Sequence, residues 1–119
     1  MKMTADMAAR LLELSRSAYP REIAGLLLAK KGVINDLVIL PGDYETQHVY
    51  VKMHLLPIYT NAVGTFHSHP SRSNRPSRAD LDFFSELGRI HLIVSYPYEL
   101  NSIASYDTSG KPAPLELIE

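Results

Sequence analysis

The chain has 119 residues, with 12 Lys plus Arg against 13 Asp plus Glu and a formal net charge of −1. That length suits one domain spanning 1–119 with a small core, and the even charge, with no long basic run, gives no reason to expect nucleic acid as a partner. There is no cysteine, which excludes a disulfide scaffold, a thiol nucleophile and a thiolate-bound metal. No stretch is apolar for long enough to span a membrane, so the expected setting is cytoplasmic; the pattern leaves the oligomeric state open.

In chain order, residues 4–18 place Met7, Leu11, Leu14 and Ala18 at helical spacing, with Ala8 and Leu12 widening the stripe and Thr4 available as a cap. Tyr19-Pro20 ends the helix, because the residue before proline resists the α region. REIAGLLLAK (21–30) reads as a strand, with Ile23, Gly25 and Leu27 on one face and Glu22, Ala24, Leu26 and Leu28 on the other. Gly32 turns it into a returning strand, VINDLVIL (33–40), so the pair forms a hairpin.

Residues 43–49 read as a polar loop or ragged edge strand, and about 53–61 as a short helix leading into a strand at 62–68. His48 and His54 fall here without a partner at repeated spacing, and read as surface or packing histidines. A helix is expected at about 77–87, stopped by Gly88. RIHLIVSYP (89–97) is the strongest strand, and SIASYD and APLELI follow it to complete a three-strand meander. The fold class is α/β, a mixed β-sheet with flanking helices and the character of an α+β sandwich.

The richest stretch is GTFHSHPSRSNRPSRAD, residues 64–80. If strand alternation holds, Val63, Thr65, His67 and His69 face one side. Two imidazoles and the Asp80 carboxylate in the first turn of the next helix are a sensible ligand set for zinc, with water in the fourth position. Ser77 and Asp80 also have the spacing of a capping box, so Asp80 either binds metal or helps to start the helix. Glu22 either pairs with Arg21, Arg16 or Lys30 or stands exposed at the strand end. Arg72, Arg75 and Arg78 either meet an acidic substrate or keep the loop soluble, and His91 either satisfies a local hydrogen bond or faces solvent.

HSHPSRSNRPSRAD, with EIAGLLL upstream, resembles the signature of the JAMM, or MPN-plus, metalloprotease family, and is most similar to its small single-domain archaeal members. The resemblance implies a cytidine-deaminase-like α+β sandwich with a JAMM/MPN core. It implies Zn2+ held by His67, His69 and Asp80, with Glu22 as general base and Ser77 stabilising the oxyanion. Zinc would bring the pKa of its water towards neutrality, and a carboxylate within reach would take the proton. A Ser77 hydroxyl occupied with the helix N-terminus cannot simply serve an oxyanion as well, so its two roles compete.

Family members cleave isopeptide bonds between ubiquitin and lysine, and the small archaeal ones act on ubiquitin-like modifier conjugates. Ubiquitin-like modifier proteins or their conjugates are therefore the implied partners. Their Gly-Gly tail would lie extended along an exposed strand edge, past a rim formed by residues 44–53 and 71–76. Two further readings stand beside this zinc isopeptidase: a peptidase processing the tail of a sulfur-carrier protein, and a non-catalytic MPN-like scaffold that docks a partner.

Overall fold

The computed structural model describes residues 1–40, 47, 51, 55, 58–85 and 88–119. His48, His54, all of the loop expected at 43–49 except Gln47, and residues 53, 54, 56 and 57 of the helix expected at 53–61 lie outside the described residues; the end of that expected helix, 58–61, is turn rather than helix. The elements in chain order are β1 (Lys2–Thr4), α1 (Ala5–Ala18), β2 (Ala24–Lys30), β3 (Val33–Leu40), β4 (Ala62–His69), α2 (Arg78–Phe84), β5 (Ile90–Ser95), β6 (Ile103–Tyr106) and β7 (Glu116–Ile118). The strands form one mixed sheet in the order β6-β5-β4-β2-β3-β1-β7.

The β2–β3 hairpin has the expected bounds. Lys31 and Gly32 both take positive φ, 52° and 77°, the backbone of the two-residue turn whose twist matches antiparallel strands. Thr4 caps α1 by accepting from Met7 N at 3.1 Å. The helix buries Met7, Ala8, Leu11, Leu12 and Ser15. Ser15 thus takes the place expected of Ala18, and its hydroxyl donates to Leu11 O at 2.7 Å, so its own polar group is paired on burial.

Alternation along the strands divides the core into two sides. Met7, Leu11 and Leu12 of α1 pack with Leu27, Phe66, Leu92 and Val94. On the other side Leu26 and Leu28 meet Val51, Leu55 and Phe83, while Phe84 of α2 meets Ile93 and Tyr106. Each fully buried side chain of this size contributes about 1.5–3 kcal/mol relative to exposure.

Three expectations need correction. The C-terminal strands are not a meander: β6 pairs with β5, but β7 lies at the opposite edge, parallel to β1. β1 is only three residues long, too short to show a period of two. Val63 leaves the histidine face, because Leu27 pairs with Gly64 and Leu28 with Ala62, making Val63 the extra residue of a bulge. It packs with the α1-side core instead. Finally, α2 is shorter than the expected 77–87, ending at Phe84 with Ser85 as its C-cap.

Strands β4 and β5 run parallel, from Gly64 opposite Ile90 to His69 opposite Ser95. Their crossover carries α2, as a parallel pair requires. The backbones approach closely at Gly64, where a Cβ would lie 1.5 Å from Ile90 O. This crossover sets the N-terminus of α2 beside the C-terminal end of β4, and the candidate residues gather there.

Candidate functional site

His67 and His69 end β4, and Asp80 is the third residue of α2. Alternation turns both rings towards α2. His67 is 3% exposed and meets Phe83 edge-on, ring centroids 5.1 Å apart. His69 Nε2 lies 3.1 Å from Asp80 Oδ2, and its Nδ1 lies 3.0 Å from Ser73 O. Asp80 is fully buried. Its Oδ2 also accepts from Ser77 N at 2.7 Å, while Ser77 Oγ accepts from Asp80 N at 3.0 Å. These two bonds are a reciprocal capping box with aspartate in the usual glutamate position.

Burial, first, lowers the His67 pKa to about 4; Asp80 opposes the shift and His69 adds to it. The His69 pKa is raised, chiefly by its hydrogen bond to Asp80, against the effect of burial. The Ser73 carbonyl can only accept, so Nδ1 of His69 donates to it, and the raised pKa favours the protonated ring beside Asp80. Glu22 is exposed just ahead of β2, and its charge gives the smallest of the influences that raise the His69 pKa. The neighbouring backbone is held by Ser68, whose Oγ accepts from Ile23 N at 2.9 Å and whose N donates to Ile23 O at 2.9 Å.

A family model described as the prokaryotic homologues of the JAB domain matches residues 4–107. The chain belongs to this family. A Haloferax volcanii protein described as a probable metalloprotease is 34% identical over 128 residues, covering 98% of this chain and 79% of that one. Among solved structures, a JAB1/MPN domain protein from Archaeoglobus fulgidus is 38% identical over the full length of both chains, with a TM-score of 0.84. Another, described as carrying a metalloprotease-like zinc site in the proteasome and signalosome, is 36% identical, covers 100% of this chain and 98% of its own, and has a TM-score of 0.81. The mixed sheet, flanked among the described residues by α1 and α2, is thus the JAMM/MPN core that the sequence led us to expect.

The JAB-family chemistry expected of that core is corrected by the site itself. Among the described residues, no group of three or more His, Cys, Asp or Glu side chains is placed to hold a metal ion. The reason is visible in the bonding. His69 Nε2 and Asp80 Oδ2 face each other at hydrogen-bond distance, and the remaining His69 nitrogen is turned to Ser73 O. Two of the three expected ligands therefore satisfy one another and the helix N-terminus. His67, His69 and Asp80 do not fit Zn2+ in this arrangement. The expected zinc cofactor and the metalloprotease, or isopeptidase, activity with Glu22 as general base are corrected with it.

Of the residues singled out from the sequence, the fold brings His67, His69, Ser77 and Asp80 together and leaves Glu22 exposed at the margin. Of the two readings open for His91, a hydrogen bond or exposure to solvent, the structure shows the hydrogen bond, whereas the part played by Tyr98 escaped notice. His91 is buried, 2.7 Å from Thr65 Oγ1 through Nδ1, and stacked on Phe84 at 4.1 Å between centroids. The parallel register that sets Thr65 opposite His91 would have revealed the pairing. Tyr98, just beyond the end of β5, is buried and donates from its hydroxyl to His69 O at 3.2 Å. No periodicity marks that contact.

Proposed function

We propose that this chain is a non-catalytic MPN-like binding scaffold of the JAB family, docking a ubiquitin-like modifier protein. The observation that carries the reading is the buried His69–Asp80 contact at 3.1 Å, with the same Asp80 oxygen 2.7 Å from Ser77 N. Groups that would activate water in a hydrolase serve here to lock the end of β4 to the start of α2. The site becomes a rigid platform.

What surrounds the platform supports a protein partner. Tyr19 is 47% exposed and its ring centroid lies 5.1 Å from that of Tyr96, over which the Arg72 guanidinium sits at 5.3 Å. Arg75 is exposed on the same loop. Tyrosine and arginine are the side chains that most often dominate binding energy at interfaces, and two arginines favour an acidic surface. A compact modifier with acidic patches and an extended tail fits both features. The reading sets the protein in the cytoplasm, where a chain without cysteine needs no oxidising compartment.

The test pairs binding with chemistry. The purified protein is titrated with a ubiquitin-like modifier ending in Gly-Gly, then incubated with the modifier conjugated to lysine. Metal content is measured on the same sample by mass spectrometry. Saturable binding that weakens in an Arg72→Glu, Arg75→Glu variant, with the conjugate intact and zinc well below one per chain, is the expected result. One zinc per chain with cleavage of the conjugate sinks the proposal.

A further inference from the structure

At the far end of the sheet from the His69–Asp80 pair is an open cleft of about 630 Å³. Gly64 and Ile90 start the paired strands at that end, and His69 and Ser95 finish them at the other, five residues or about 17 Å away along the strand. The cleft is therefore separate from the platform described above. It is lined by the start of β1, the β2–β3 turn with the first residue of β3, the start of β5, the segment leading to β7 and Ile118 of β7 itself.

Its charge is one-sided. Lys2, Lys31 and Arg89 all line it, while none of its lining residues is Asp or Glu. None of the three cations makes an ion pair with a described carboxylate; Glu116, the register partner of Lys2 on β7, is exposed without pairing to it. The two ion pairs with a Lys or Arg partner among the described residues, Arg10–Asp36 and Arg16–Glu13, lie on other elements. In a chain of net charge −1, three unpaired cations around one concavity focus a positive potential there.

Below the cations the cleft is apolar, formed by Val33, Ile90, Ala113, Pro114 and Ile118. Backbone bonds hold its walls in place. Lys2 N donates to Gly32 O at 3.3 Å, Arg89 N to Val63 O at 2.8 Å, and Glu116 N to Met1 O at 3.1 Å. Gly32, with φ +77° and nothing within 4 Å of a would-be Cβ, leaves the lip of the cleft open. An apolar body with a few polar anchors is the usual make-up of a small-molecule site.

We propose that this cleft binds a small organic phosphate, its phosphate group held by Arg89, Lys31 and Lys2 and its apolar body on Ile90, Pro114 and Ile118. Arginine supplies the planar, two-pronged contact to phosphate oxygens, and the lysines add point charges. The inference stands apart from the scaffold reading, because it uses no residue of the His69–Asp80 platform.

Phenyl phosphate is the probe, followed by amide chemical shifts in an NMR titration, with inorganic phosphate and benzyl alcohol as its two halves. Saturable shifts are expected at Lys2, Gly32, Arg89 and Ile90 and not at Ser68–Asp80. Each half should bind more weakly than the whole, and added salt should weaken binding. Arg89→Gln and Lys31→Gln should each reduce affinity roughly fivefold, the factor expected for one lost charge contact in water. Both side chains are exposed and their variants should melt with the parent. Absence of saturation at millimolar probe, shifts centred elsewhere, or full affinity in the Arg89→Gln, Lys31→Gln double variant would each overturn the proposal.

Discussion

Asp80 Oδ2 lies 3.1 Å from His69 Nε2, and both side chains are buried where β4 meets α2. This contact joins a strand end to a helix start that are eleven residues apart in the chain. Because the same oxygen accepts from Ser77 N, the pair couples the cap of α2 to the position of the β4 terminus. Its consequences are measurable in the protein alone.

Asp80→Ala should destabilise the protein by about 3 kcal/mol, the scale for removing one partner of a buried ion pair. The loss combines an unpaired His69 with a broken cap. Asp80→Asn keeps an oxygen for Ser77 N and should lie between the two proteins. Urea unfolding followed by circular dichroism measures both. If Asp80→Ala proves as stable as the parent, the carboxylate does not serve the fold and the scaffold reading loses its central support.

Ser77 separates the cap from the ion pair. Ser77→Ala removes the acceptor for Asp80 N and should cost about 1 kcal/mol, whereas Ser77→Gly should cost only a few tenths. The His69–Asp80 contact survives in both. A Ser77→Ala loss as large as that of Asp80→Ala would mean that the hydroxyl supports more than the helix start.

The sequence made most of this architecture legible, for identifiable reasons. Long periodic segments showed themselves: α1 through its apolar stripe, the hairpin through Gly32, and β5 through Ile90, Leu92 and Val94. The gathering of His67, His69, Ser77 and Asp80 also followed from spacing alone. Their chemistry did not, since one set of residue types can ligate a metal or satisfy itself, and only distances choose. The position of β7 was hidden because it depends on pairing with a three-residue strand at the other end of the chain. The Val63 bulge was hidden because register is a property of two strands together.

Gly64→Ala should be severe, because its Cβ would fall 1.5 Å from Ile90 O. Backbone cannot yield as a flexible side chain does, so β4 and β5 must separate; a loss above about 3 kcal/mol, beyond ordinary overpacking, is expected. Gly32→Ala provides the contrast. Nothing lies within 4 Å of that Cβ, and only the positive φ is penalised, by about 1–2 kcal/mol. Equal losses in thermal unfolding would show that strand contact is not what requires glycine at position 64.

Acid should destabilise the protein well above the ordinary carboxylate range. Burial lowers the pKa of His67 and His91 to about 4 from the ordinary histidine value of 6.5. The unfolded chain therefore binds more protons than the native one between those values, so stability falls as pH drops from about 6.5 to about 4 and then levels off for these groups. Each contributes on the order of a few kcal/mol. His69 acts in the opposite sense: its raised pKa stabilises the fold below 6.5, and that share is lost as pH rises through its folded value. Urea unfolding at pH 7, 6, 5 and 4 measures the sum. His91→Gln, which can still meet Thr65 Oγ1, should remove the His91 share and flatten the acid limb. An unchanged slope in that variant would show that His91 takes up no proton on unfolding that it lacks in the fold.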